Sequence, residues 1–276
     1  MVGEPRVDAV MLDLLLLENQ LPFFVIEELY KIAFPNHGLL TLLELSFNYF
    51  KYFIINNQAL PNMKIEHFTD LIRTFKIASP TKQPERGNEI IYCMYSATQL
   101  HEEGLKFYVV PGNVPCFDFR FVEGVLEIPR LELTDRTTVV YQNIIALEQI
   151  HYIEDGYFTD YFIFMDSLIK TREDVDLLRD KSILFNPLDN GYAAEFMIKN
   201  LNKGISLINM GDVYSVLAKD LNRFGRSARP RPMAVLKREF FSTPSQATST
   251  IITIGVITVL TLIQTVCSIM QVTGSS

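Results

Sequence analysis

In FFVIEELYKIA the apolar residues Phe23, Ile26, Tyr30 and Ala33 fall three and four apart, while Glu27 and Lys31 stand one turn apart on the other side. That spacing predicts an amphipathic helix over 22–34. Pro22 suits its first turn, and Leu21, preceding a proline, is held out of helical geometry. An earlier apolar stretch predicts a helix over 10–18. Between the two, Glu18, Asn19 and Gln20 interrupt the run LLLLENQLPFF. The interruption reads as a seam. Asn19 and Gln20 satisfy backbone groups released where one helix ends and the next begins, and Glu18 is a local hydrogen-bonding partner rather than a catalytic acid.

Helical spacing continues over 39–55 and over 64–76, where Ile65, Phe68, Ile72 and Phe75 share a face. SPTKQPERGNE, residues 79–89, is an exposed loop by composition. A further helix is predicted over 90–103 through Cys93, Ala97 and Leu100, ended by Gly104. The period then changes from helical to alternating. Phe117, Phe119 and Phe121 alternate with Cys116, Asp118 and Arg120, so a small sheet is predicted over 105–133, with Pro129 marking an edge strand or a strand end. Helices resume over 136–150, 157–170 and 172–180, the last behind Thr171 with Asp174 three residues on, and two more lie between Tyr192 and Asn222. The expected fold is mainly α with a small antiparallel β insertion (α+β).

One C-terminal transmembrane helix is added by the pattern at the other end. Ile251 to Met270 is twenty residues of mostly apolar, uncharged chain, long enough for a hydrocarbon core at about 1.5 Å per residue. Ile251, Ile254, Gly255, Thr258, Leu262, Thr265 and Met270 mark it. Before it, Arg223, Arg226, Arg229, Arg231, Lys237 and Arg238 stand against one acid, Glu239, as expected of a basic flank lying on anionic membrane lipid. The organisation expected is therefore a body over 1–222, a basic linker over 223–249, a span over 250–271 and a tail over 272–276. Thr258, Thr261, Thr265 and Ser268 lie on one stripe of the span. They serve either helix-helix self-association or hydrogen bonds back to the preceding turn. The simplest topology is single-pass, with the body facing the cytosol.

Composition narrows the function classes. A chain of 276 residues, 48% apolar and 21% charged, has enough apolar side chains for a sizeable core, and its net charge of -7 argues against a general nucleic-acid binder. Cys93, Cys116 and Cys267 lie far apart, without the spacing of a zinc site or a disulfide framework. None of the common phosphate-binding, dinucleotide-binding, hydrolase or metalloprotease motifs occurs, so no catalytic residue, cofactor or metal ligand is assigned. His101-Glu102-Glu103-Gly104 lacks the second histidine one turn on. His37, His67 and His151 are scattered and read as structural. His101 and Cys93, placed on one helix by the periodicity, are about two turns apart, too far for proton transfer.

Several ordered stretches together carry a resemblance: DLLLLENQLPFFVIEELY, IEHFTDLIR, SATQLHEEGLKF, FVEGVLEIPRLELTDRTTVVYQNIIALEQ and SLIKTREDVDLL. They resemble the plant-specific family called domain of unknown function 247 over nearly the whole chain. The resemblance implies a membrane-associated plant protein, and some grass members of that family are implicated as self-incompatibility determinants. It supplies no catalytic residues. Family members carry a long preceding region with Ser-Ile-Gly-Pro and Asp-Gly-Cys-Phe motifs, which this sequence lacks, so the chain resembles an amino-terminally shortened member. The function expected is a non-enzymatic recognition or signalling protein with an unknown protein partner. The alternative is a membrane-bound enzyme whose polar residues converge only in three dimensions.

Overall fold

A computed structural model describes residues 4–35, 40–54, 64–77, 93–110, 118–185, 191–205 and 211–227, and beyond them Thr261 and Gln264. The chain divides into two units, Met1–Ser227 and Ala228–Ser276. In the second, Thr261 and Gln264 are helical and exposed.

The first unit opens with α1 (Glu4–Asp13), a 3-10 turn at Leu17–Asn19 and α2 (Phe23–Ala33). There follow α3 (Leu42–Tyr49), a 3-10 turn at Lys51–Phe53, α4 (Phe68–Ile77) and α5 (Ala97–Glu102). Three strands come next, β1 (Lys106–Val109), β2 (Arg120–Val122) and β3 (Val125–Ile128), then β4 (Leu131–Glu132). The helices α6 (Asp135–His151), α7 (Tyr157–Leu168) and α8 (Arg172–Asp180) lead to β5 (Leu184–Phe185), α9 (Gly191–Leu201) and α10 (Asp212–Ser227).

Local chemistry sets several of these ends. Thr134 accepts the Thr137 amide at 3.1 Å and the Thr137 hydroxyl caps back onto the Thr134 amide at 2.8 Å, which starts α6. Thr41 and Glu44 start α3 in the same reciprocal way. The Glu123-Gly124 turn joins β2 to β3 with φ of 49° and 78°, the left-handed pair that a two-residue hairpin needs.

The core is organised around α7, whose Phe158, Tyr161, Phe162, Phe164, Met165 and Leu168 are all buried. It packs against α6, α9 and α10. Rings interlock there: Tyr161 and Phe162 lie 4.9 Å apart, Tyr141 and Phe162 5.1 Å, and Phe119 and Phe164 5.2 Å. Each such side chain, fully buried, contributes on the order of 2 kcal/mol.

The sheet departs from the expected antiparallel insertion. The strand order is β1-β3-β2, with β2 antiparallel to β3 but β1 parallel to it, pairing Lys106 with Val125 and Val109 with Ile128. Period-two alternation fixes which face of a strand is buried, not which way its neighbour runs. Pro129 does end β3. The rest of VLEIPRLEL then leaves this sheet, and β4 pairs in parallel with β5, a strand contributed from beyond α8.

Helix boundaries also move. The helix expected over 10–18 is α1, which stops at Asp13. The prediction over 39–55 shortens to α3 and a 3-10 turn, and that over 90–103 to α5, because Ser96 caps the helix there through the Gln99 amide. Arg223 and Arg226, expected in a linker, lie inside α10.

Among the described residues no helix is long and apolar enough to cross a membrane. The longest of those helices, α6, has 17 residues and rises about 25 Å, short of a hydrocarbon core of roughly 30 Å, and it carries Glu148 on its buried face. The fold class with a carboxyl-terminal transmembrane helix is therefore corrected to a mainly α fold with two small sheets. Ile251, Ile254, Gly255, Thr258, Leu262, Thr265 and Met270 lie outside the described residues. So do Arg229, Arg231, Lys237 and Arg238, the loop 79–89, His37, Cys116 and Cys267.

Candidate functional site

The seam expected at 14–24 is one wall of a cleft. Gln20 donates from Nε2 to the carbonyls of Leu14 at 2.8 Å and Leu16 at 2.7 Å, and its Oε1 accepts the Thr69 amide at 3.3 Å. Asn19 donates to the Asp13 carbonyl at 3.1 Å, closing the end of α1. Both side chains do the backbone work that their position between helices requires. Glu18 is exposed in the 3-10 turn. The Phe23 amide donates to the Glu66 carbonyl at 2.7 Å, which ties the start of α2 to the start of α4.

Around this tie the chain leaves a cleft of about 510 Å³, lined by Gln20, Leu21, Pro22, Glu66, His67, Leu147, His151 and Tyr152. The segment just before α4 supplies Glu66 and His67, and the last residue of α6 and its cap supply His151 and Tyr152. The Nδ1 of His67 accepts the Asp70 amide at 3.2 Å. Burial pulls the His67 imidazole below its usual value, as does the His151 ring, while Asp70 and Glu66 oppose the shift. Glu66 is exposed and paired with Lys64 at 2.7 Å, whose hydrogen bond and charge lower its carboxyl.

Behind the cleft lies a saturated polar network. The Tyr152 hydroxyl donates to Asp70 Oδ1 at 2.7 Å, and Asp70 Oδ2 accepts the Glu66 amide at 2.9 Å. Burial, and then the bond to Asp70, raise the Tyr152 phenol far above its ordinary value. The Arg73 guanidinium stacks 3.9 Å from the Tyr152 ring centre and donates to Glu148 Oε1 at 3.0 Å and to the Asp155 carbonyl. Glu148 also accepts the Phe158 and Thr159 amides and the Thr159 hydroxyl. Burial raises its carboxyl, and Arg73 with these donors opposes the rise.

A second buried carboxylate holds two helix starts together. Asp174 Oδ1 accepts the Ser96 hydroxyl and the Thr98 amide, each at 2.7 Å, at the start of α5. Its Oδ2 accepts the Lys170 and Thr171 amides and the Thr171 hydroxyl at the start of α8. Burial alone raises this carboxyl, and the Ser96, Thr98 and Thr171 bonds outweigh it, leaving it below the usual carboxylate value.

The other sequence candidates do not converge. His101 lies in the last turn of α5 with Nδ1 3.0 Å from the Leu105 carbonyl oxygen. Cys93 precedes α5 rather than sharing its helix with His101; its thiol donates to the Tyr95 carbonyl, and burial pushes it up to about 11. Arg226, near the end of α10, lies 3.3 Å from the Met94 sulfur. Among the described residues no three His, Cys, Asp or Glu side chains come together as a metal would require. The approach of His67 to His151, and of Asp70 to Tyr152, was not visible in sequence. The available signal was Glu148, one turn from Ile144 and Ile145 on an apolar helix face, where a buried charge needs a partner; Asp70 and Arg73 lie on the side of α4 away from Phe68, Ile72 and Phe75 and gave no such signal.

Over residues 2–259 the chain matches the family described as plant protein of unknown function, domain of unknown function 247. The chain belongs to that family. It is similar to the UPF0481 protein At3g47200 of Arabidopsis thaliana, 27% identical over 288 residues that cover 94% of this chain and 60% of that protein. It is also similar to the putative UPF0481 protein At3g02645 of the same plant, 28% identical over 130 residues, 47% of this chain and 24% of that protein. The match thus spans less than two thirds of each relative's length. No solved structure matches the chain.

Proposed function

We propose that this plant protein works by recognition, its helical body presenting an apolar surface to a protein partner, and that it has no catalytic activity of its own. The observation that supports this most directly is α2. Its inner side, Phe23, Ile26 and Tyr30, packs on the core, yet Phe24, Leu29 and Ile32 on its other sides are 66%, 59% and 75% exposed. These exposed apolar side chains interleave with Glu28 and Lys31 on the outer side of the helix, and so much apolar area on one exposed surface fits a face that a partner covers. Leu21 and Phe34, at the two ends of the helix, are likewise exposed. Recognition or signalling, as in the self-incompatibility role implicated for grass members of the family, is the class of function this reading assigns.

An enzyme reading draws on the cleft with His67 and His151. Against it, the buried carboxylates nearest, Asp70 and Glu148, are held by tyrosine, amide and guanidinium donors rather than aimed at the open space. The test is co-purification with the full chain from the plant tissue that expresses it. Phe24→Ser with Ile32→Ser is expected to lose a protein that the unaltered chain retains, with unchanged circular dichroism. Retention of the same set of proteins by both would overturn the reading.

A further inference from the structure

The cleft between α4 and α6 has a chemistry of its own, independent of the α2 surface. Most of its polar wall is already engaged: Gln20 by the Leu14 and Leu16 carbonyls and the Thr69 amide, Tyr152 by Asp70, and Glu66 by Lys64. Among the described residues no hydrogen bond reaches the Nε2 of His67 or the ring of His151, which lies within electrostatic reach of His67 and Glu66. Because the Asp70 amide occupies Nδ1 of His67, the neutral ring carries its hydrogen on Nε2 and is a donor there. Leu21, Pro22 and Leu147 give the same space an apolar floor. A volume of about 510 Å³ is within the range that accepts a small organic molecule.

Charge selects the kind of molecule. The groups acting on His67 are Asp70 and Glu66, which favour its cation, and His151, which opposes it. Asp70 is committed to the Tyr152 hydroxyl and the Glu66 amide, Glu66 to Lys64, and Arg73 behind them to Glu148. What faces the opening is a pair of imidazoles, one a fixed donor, beside an apolar floor, with the half-exposed Glu66 carboxylate at the rim, its charge offset by Lys64. We propose that this cleft binds a small carboxylate with a short apolar body, its oxygens accepting from His67 and His151 and its body lying on Leu21, Pro22 and Leu147. A carboxylate placed there favours the imidazolium of His67, so binding raises the pH at which that ring titrates.

The experiment is proton NMR of the imidazoles in the full chain, with phenylacetate as the probe and phenylacetamide as its uncharged counterpart. The four histidines are assigned one at a time by His→Gln substitution. The expected result is a saturable shift of the His67 and His151 resonances with phenylacetate, a higher titration midpoint for His67, and no saturation with the amide. His67→Gln and the exposed His151→Ala should each weaken binding about tenfold, as the loss of one hydrogen bond to a charged group does. No saturable shift, an equal response to the amide, or parallel shifts of all four histidines would each overturn the proposal. Since neither substitution touches Phe24 or Ile32, failure here leaves the partner surface of α2 standing, and the reverse also holds.

Discussion

Arg73 and Glu148 meet 3.0 Å apart between α4 and α6, with side chains 7% and 0% exposed. Such a pair is worth little over a well-packed apolar one, but breaking it strands a charge in the core. Glu148→Ala is expected to destabilise the protein by about 3 to 5 kcal/mol, because Arg73 and the Phe158 and Thr159 amides lose their acceptor. Arg73→Met together with Glu148→Leu should cost less than Glu148→Ala, because no charge is then stranded, although the Phe158 and Thr159 amides still lack their acceptor. Urea denaturation of both variants measures the difference.

Asp174 joins α5 to α8, and its carboxyl is lowered in the folded chain. A carboxyl lowered by folding stabilises the fold above its unfolded value, near 3.9, and that stabilisation is lost as pH falls through the lower folded value. Asp174→Asn keeps one acceptor oxygen and turns an amino group toward donors that need an acceptor. We expect a loss of about 2 to 4 kcal/mol at pH 7 and a shallower decline of stability below pH 4 than in the unaltered protein. Thermal unfolding followed across pH 3 to 7 checks both.

Gly225, in α10, lies against the Tyr95 ring so closely that a Cβ would stand 2.7 Å from two ring carbons. Gly225→Ala is therefore expected to lower the melting temperature, although alanine is the better helix former by about 1 kcal/mol. Removing the obstacle with Tyr95→Ala in the same chain should bring the effect of Gly225→Ala close to the helix-propensity gain. A double-mutant cycle reads this directly.

Cys93 is buried, and its thiol is pushed up to about 11. In the native chain at pH 8 it should resist a thiol reagent that labels it at once in denaturant. Labelling rates with and without guanidinium chloride test this.

The helical body was legible wherever a period ran long enough. The seam at Asn19 and Gln20 and the α8 start at Thr171 and Asp174 came out as read, because caps are local chemistry between residues a few positions apart. The direction of β1 and the departure of β4 to pair with β5 were not legible, since alternation specifies a face and not a partner. The cleft was hidden for the same reason: His67 immediately precedes α4 and His151 ends α6, and only the packing of α4 on α6 brings them to one opening. Asp174 shows the limit from the other side. Its cap on α8 is written in the spacing, while its hold on Ser96 and Thr98 depends on how two helices pack.

The outer sides of α2 are proposed to meet a protein partner. A photoreactive phenylalanine analogue placed at Phe24 or at Ile32 of the full chain in plant cells, with Lys181 as an exposed control, tests it most directly. One discrete cross-linked protein is expected from both α2 positions and none from Lys181. No product from α2, or the same products from all three positions, would contradict it.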